Sequence, residues 1–176
     1  MPGPTGAGLA VREVTVAASL AALGVVVPIL FHMVGMGRYF LPMHLPVLAA
    51  GLLLRPRIAW TVGLVTPWLS SLLTGMPPMP MPVLMSIELV ALVQTASLLS
   101  AAEAPVWVAV TAAVALRCAA TFAVTTALAT QLGIPEQAAG WASVASGAPG
   151  IALQIVSVPI LLASFRRVSG RKPDTA

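Results

Sequence analysis

Charge is scarce in this chain. Lys, Arg, Asp and Glu together make up 8% of its 176 residues, while 59% are hydrophobic. An ordinary soluble domain carries about 25% charged residues, and so little charge cannot cover the surface of a water-soluble fold. The composition therefore excludes a soluble globular domain and places the chain in lipid. Cysteine is limited to Cys118. With no partner in the chain, that excludes a disulfide framework and a four-ligand zinc site. Cys118 lies in an apolar run and reads as a small packing residue. Asparagine and aspartate are nearly absent, so a proton relay has few candidates. A Gly-x-x-x-x-Gly-Lys phosphate loop is also missing, so any energy from ATP has to come from other chains.

Alternation of polar and apolar residues is another absence. The apolar runs are long and continuous, which argues against a membrane β-barrel. A helical span takes about 20 residues, so the length admits about five to seven helices in one compact domain. Six apolar segments are visible, over residues 14–34, 40–54, 58–73, 79–100, 105–130 and 138–165. The first is longer than a signal-peptide core and lacks a clear cleavage site before a soluble domain, so it reads as a retained span. The second and third are short for full spans and are joined by the tight basic turn Arg55-Pro56-Arg57. The chain is thus organised as a cytoplasmic segment 1–13, a membrane domain 14–165 and a basic cytoplasmic tail 166–176.

The formal charge of +4 does not point to nucleic acid, because the basic residues form no face that tracks a phosphate backbone. They follow topology instead. With six spans, Arg12, Arg55, Arg57, Arg166, Arg167, Arg171 and Lys172 fall on one side, and only Arg38 on the other. That bias predicts an all-α integral membrane protein, a six-transmembrane-helix bundle with N-terminus and C-terminus both cytoplasmic. The external connections are then 35–39, 74–80 and 131–137. The stretch GMPPMPMP over 75–82 cannot be helical throughout, since its prolines lack amide donors. It reads equally as a lid over a site or as a rigid connector.

Few residues are able to carry chemistry. Glu88 and Arg117 are the ionisable residues placed well inside spans, where a lone charge costs at least about 2.5–3.5 kcal/mol. They form either a structural ion pair or part of a polar pocket. Glu88 lies about 10 Å from the external start of its span, at 1.5 Å per residue. His32 and His44 flank the first external connection. With Glu88 they make a formal two-histidine, one-carboxylate set, but without the close i, i+4 spacing of a helical metal motif. No metal site is assigned, and hydrogen bonding near the outer mouth is the better reading. Gln94 and Gln154 are buried polar residues that either line a pocket or link helices. On the first span, Ala17/Ala21 and Ala18/Ala22 are small-xxx-small pairs, which allow close helix approach. They serve internal packing or docking to a separate membrane protein.

Four motifs then stand in order: FLPMHLPVLAAG (40–51), GLVTPWLSSLLTGMPP (63–78), MSIEL (85–89) and GAPGIALQ (147–154). They resemble the LPMHIPVLLAG, GLLTPLLSSLLTGMPP, MxFEL and GxPGIxLQ segments of a group of substrate-binding S components of energy-coupling-factor (ECF) transporters. The resemblance covers roughly residues 14–165. It implies a multi-pass protein of a prokaryotic plasma membrane that captures a vitamin or related micronutrient and is not itself an enzyme. It also implies docking on a membrane coupling (T) protein carrying two ABC-type ATPases, which use the ATP, and reorientation in the bilayer. The family's docking surface matches Ala17, Ala18, Ala21 and Ala22, and its external pocket matches His32, His44, Met79 in the 74–82 loop, Glu88, Arg117 and Gln154. The stretch VALVQ at 90–94 departs from the family's aromatic and glycine residues there, so no substrate is transferred. Two rival classes follow from the residues alone: an intramembrane metal-dependent enzyme using His32, His44 and Glu88, and a stand-alone channel or scaffold.

Overall fold

The computed structural model describes residues 6–36, 40–128, 130–131 and 140–168. Among these the chain is all helical, with no strand. The helices are α1 (Gly6–Met33), α2 (His44–Leu53), α3 (Pro56–Thr74), α4 (Met81–Ala101), α5 (Val106–Ala127), the short α6 (Trp141–Ser146) and α7 (Ala148–Val168). Three stretches, Ala10–Met33, Met81–Ala101 and Val106–Ala127, are long and apolar enough to cross a bilayer, and α2 and part of α7 are shorter apolar helices. This architecture agrees with a membrane protein.

Local chemistry sets the helix boundaries. Arg55 is extended and Pro56 occupies the first helical turn of α3, where its missing amide costs nothing. Gly75 ends α3 in the left-handed conformation at φ 72°, its amide donating to the Ser71 carbonyl. Pro105 likewise precedes α5. α1 begins at Gly6, earlier than its apolar stretch, and carries Arg12 and Glu13 within the helix. Glu13 is held there by a bidentate pair with Arg55, at 2.6–3.0 Å, which ties α1 to the α2–α3 turn. Glu13 also raises the pKa of the exposed Arg55 guanidinium, through the hydrogen bond and its charge. α2 spans only ten residues, about 15 Å at 1.5 Å per residue.

The segment 138–165 does not form one continuous helix. It breaks at Gly147 into α6 and α7. Hydropathy runs smoothly across this point, but a Cβ at Gly147 would stand 2.8 Å from Leu41 Cδ1, and Pro149 two residues later has no amide to extend α6.

α4 is the central helix, with α2, α3 and α5 packed around it. Leu89, Leu92, Val93 and Ala96 of α4 are fully buried, as are Val47 and Leu48 of α2 and Ala109, Val110 and Ala113 of α5. Two glycines permit this packing. A Cβ at Gly51 would lie 2.7 Å from the Val93 carbonyl oxygen, and one at Gly63 would lie 2.9 Å from that of Leu89. Ser100 donates to the Leu52 carbonyl at 3.2 Å, satisfying one of the open acceptors at the end of α2. α1 packs outside this core on α2 and α3. Ala17 is buried and Ala21 half-buried against the core, whereas Ala18 and Ala22 face outward. The four alanines thus divide between an inner and an outer face of α1.

Substituting Gly51→Ala or Gly63→Ala forces backbone displacement at α4. Overpacking of this kind costs about 1–3 kcal/mol, against a helix-propensity gain of at most about 1 kcal/mol. Both variants should unfold at lower temperature than the parent in detergent, and an unchanged midpoint in both would mean the helices do not approach this closely.

Candidate substrate-binding site

Helical register gathers side chains at one end of the bundle. Met81, Met85 and Glu88 follow i, i+4, i+7 on α4; Arg117 and Thr121 follow i, i+4 on α5; Ser70 and Thr74 do so on α3, and Pro28 and His32 on α1. Each set occupies one helix face, and all of them line a cavity of about 660 Å³. This volume suits a small organic ligand, for which pockets run from about 300 to 1,000 Å³. His44, the first residue of α2, and the preceding Leu41-Pro42-Met43 complete one side of it. Leu41 holds a left-handed backbone at φ 49°, unfavourable for a branched side chain. Ser143, Val144, Ser146 and Gly147, in and just after α6, form another wall. α6 is seated on α5 by Phe122 and Trp141, whose ring centroids are 4.9 Å apart, and by the Gly140 amide donating to Thr125 Oγ1 at 3.0 Å.

The cavity has two chemical characters. Much of its wall is soft and apolar, with Met33, Met43, Met76, Met81 and Met85 and several prolines. Its polar point is a triad from three helices. Glu88 Oε2 lies 3.8 Å from His44 Nε2 and 3.5 Å from Arg117 Nη1, both longer than well-formed hydrogen bonds. His44 is 1% exposed and Arg117 3%, yet both imidazole nitrogens and Arg117 Nε find no hydrogen-bond partner among the described residues. Leaving a buried polar group unpaired costs about 1–3 kcal/mol. Arg117 Nη2 reaches only the Cys118 sulfur, at 3.3 Å. Glu88, with its side chain 13% exposed, meets the cavity with hydrogen-bonding capacity unfilled.

The 74–82 connection is both pinned and part of the wall. Ser70 and Ser71 donate to the Met76 and Pro77 carbonyls at 2.8 Å each, and the Met76 amide donates to Thr74 Oγ1 at 3.2 Å. Met76, Pro77 and Pro78 face the cavity.

Of the residues singled out from the sequence, His44, Glu88 and Arg117 converge. Glu88 and Arg117 are neighbours and line the cavity at once, which joins the two readings of that pair. His32 lies on the wall with its Nδ1 2.7 Å from the Pro28 carbonyl oxygen. Met79 is 66% exposed and stands off the wall, its place in the cavity taken by Met76. Gln154 is fully buried in α7 and is not among the cavity-lining residues; among the described residues both its amide atoms are unpartnered, as is the Gln94 oxygen. Among the described residues no group of three His, Cys, Asp or Glu side chains is arranged to hold a metal, His32, His44 and Glu88 included. Arg38, the rest of the 35–39 connection beyond Met36, residues 132–137 and the tail beyond Val168 lie outside the described residues. Sequence reasoning included Thr74 within the 74–82 loop but passed over Ser70, Thr121 and the α6 serines. Thr121 was within reach, being one helical turn beyond Arg117. No protein-family model, curated protein or solved structure matches the chain.

Removing one member of a buried pair strands the other charge, at about 3–5 kcal/mol. Arg117→Leu and Glu88→Leu should each destabilise the protein by at least about 2 kcal/mol, the cavity-facing carboxylate softening the full cost. The double variant should recover most of that loss in thermal unfolding. Additive losses would mean that the two side chains do not interact.

Proposed function

We propose that this chain is the substrate-capture S component of an ECF-type importer for a vitamin or related micronutrient. The observation that carries this reading is the 660 Å³ cavity, apolar-walled and furnished with a buried, under-bonded His44–Glu88–Arg117 triad. It lies at the end of the bundle away from the Arg55–Arg57 turn. In the proposed topology α1 to α5 and the α6–α7 unit are six membrane passes with both termini cytoplasmic. Arg12, Arg55, Arg57, Arg166 and Arg167 then mark the cytoplasmic end, and the cavity opens toward the outside. The segments that resemble those of ECF S components support this reading, because they contribute to the cavity and its helix packing. The 40–51 stretch supplies His44 and Gly51, the 63–78 stretch supplies Gly63, Ser70 and the cavity-lining loop, and 85–89 supplies Glu88.

In this reading the protein binds its cargo from outside and performs no chemistry on it. A membrane coupling protein with two ABC-type ATPases supplies the energy for reorientation and release. The outward-facing Ala18 and Ala22, with no bulk to hold a partner helix away, are the docking residues in contact with that partner. Ala17 and Ala21 set the spacing of α1 on its own bundle.

Native mass spectrometry of the purified protein should find one small molecule per chain, and a protein emptied of it should rebind it. Glu88→Ala should weaken that binding by about 1.5–3 kcal/mol, the worth of a charge-assisted hydrogen bond, or about 10- to 150-fold. Ala18→Trp or Ala22→Trp should leave binding intact and abolish uptake in cells with the ATPase partner. Unchanged uptake in both would remove the docking face, and stoichiometric metal with no organic ligand would favour the enzyme reading instead.

A further inference from the structure

From the charges and hydrogen-bonding vacancies of the cavity we infer that its ligand carries no net charge on the head that meets the triad, and presents a donor beside an acceptor. A primary amide, a lactam or an amide-like edge of a heteroaromatic ring has this form. The inference rests on the small-molecule capture reading and specifies what is captured.

Three observations lead to it. First, among the described residues Glu88 and Arg117 are the acidic and the basic side chain on the cavity wall besides the two histidines, and a carboxylate and a guanidinium cancel. A charged head would leave a net charge enclosed in the bundle, where screening by water is weak. Second, the open valences are of both kinds. Among the described residues Arg117 donates only to the Cys118 sulfur, and the Glu88 carboxylate, 13% exposed, accepts no hydrogen bond; both residues line the cavity. A carboxylate head satisfies Arg117 but opposes Glu88. An ammonium or amidinium head satisfies Glu88 but opposes Arg117. A neutral donor–acceptor head satisfies both. Third, gaps of 3.5 and 3.8 Å to Glu88 Oε2 leave this polar point unsealed, next to thioether walls that mould readily to a ring.

The test uses a matched series on one ring system: 2-naphthamide, 2-naphthoate and 2-naphthamidine, neutral, anionic and cationic at pH 7. Binding to the purified full chain in lipid nanodiscs is followed by calorimetry. The amide should bind at least about tenfold more tightly than either charged analogue. Glu88→Gln makes the site cationic and should shift relative affinity toward naphthoate by at least about tenfold; Arg117→Gln should shift it toward naphthamidine. A structural role for these residues lowers all three affinities together and does not reorder them. A charged analogue that binds wild type best, or an order unchanged in folded variants, overturns the neutral-head inference and leaves capture standing. Should neither variant fold, the wild-type order alone decides. If none of the three binds, the molecule released from the purified protein decides by the charge of its head. A protein that binds none and carries none overturns capture and this inference together.

Discussion

The backbone contacts of α4 are the constraint on which the rest of the structure depends. Gly51 of α2 and Gly63 of α3 press against its carbonyls at successive turns, near Val93 and Leu89. At both points the glycine leaves room for α4 backbone together with Ala96 Cβ and Val93 Cγ1, and dispersion over such short distances is the main source of cohesion where lipid offers no hydrophobic drive. Because α2 and α3 are joined by a tight turn, fixing both glycines fixes the opposite ends of the two helices as well. His44 and the Ser70–Thr74 face are thereby held around Glu88.

That placement explains how a polar cluster survives in so apolar a chain. A lone carboxylate or guanidinium in the bundle would be expensive, but here each lies within 4 Å of an opposite or polar partner. The compensation is incomplete, as the unpaired nitrogens of His44 and Arg117 attest. A structure maintained for stability alone would do better with apolar residues of the same volume. Unfilled bonding capacity also occurs at Gln94 and Gln154, but only at His44 and Arg117 does it adjoin a partly exposed carboxylate on a cavity wall, among the described residues.

Much of this was legible in the sequence, for identifiable reasons. Continuous apolar runs gave the helical class, and the prolines at 56 and 105 punctuated α3 and α5 close to where they begin. Glu88 and Arg117 stood out because charge is costly in lipid wherever the helix happens to face. What stayed hidden was facing itself. α7 is apolar on most sides, so nothing in its pattern told that Gln154 turns into the core and does not line the cavity. In the proline-rich loop neither a 3.6- nor a 2-residue period exists, so Met76 and Met79 were indistinguishable. Alanines at i, i+4 look the same whether they admit a helix of the same bundle or of another protein. The break at Gly147 escaped because hydropathy does not register a missing amide, although Gly-Ala-Pro-Gly was there to be read.

The short helix α6 has a kinetic consequence. None of its residues is buried, and a ring contact and a hydrogen bond near Gly140 help to hold it on α5. The free energy of local opening follows buried contact, so this wall parts far more cheaply than the glycine-locked helices beside it. Opening of this turn and a half of helix is a local event that leaves the packing of the other helices intact.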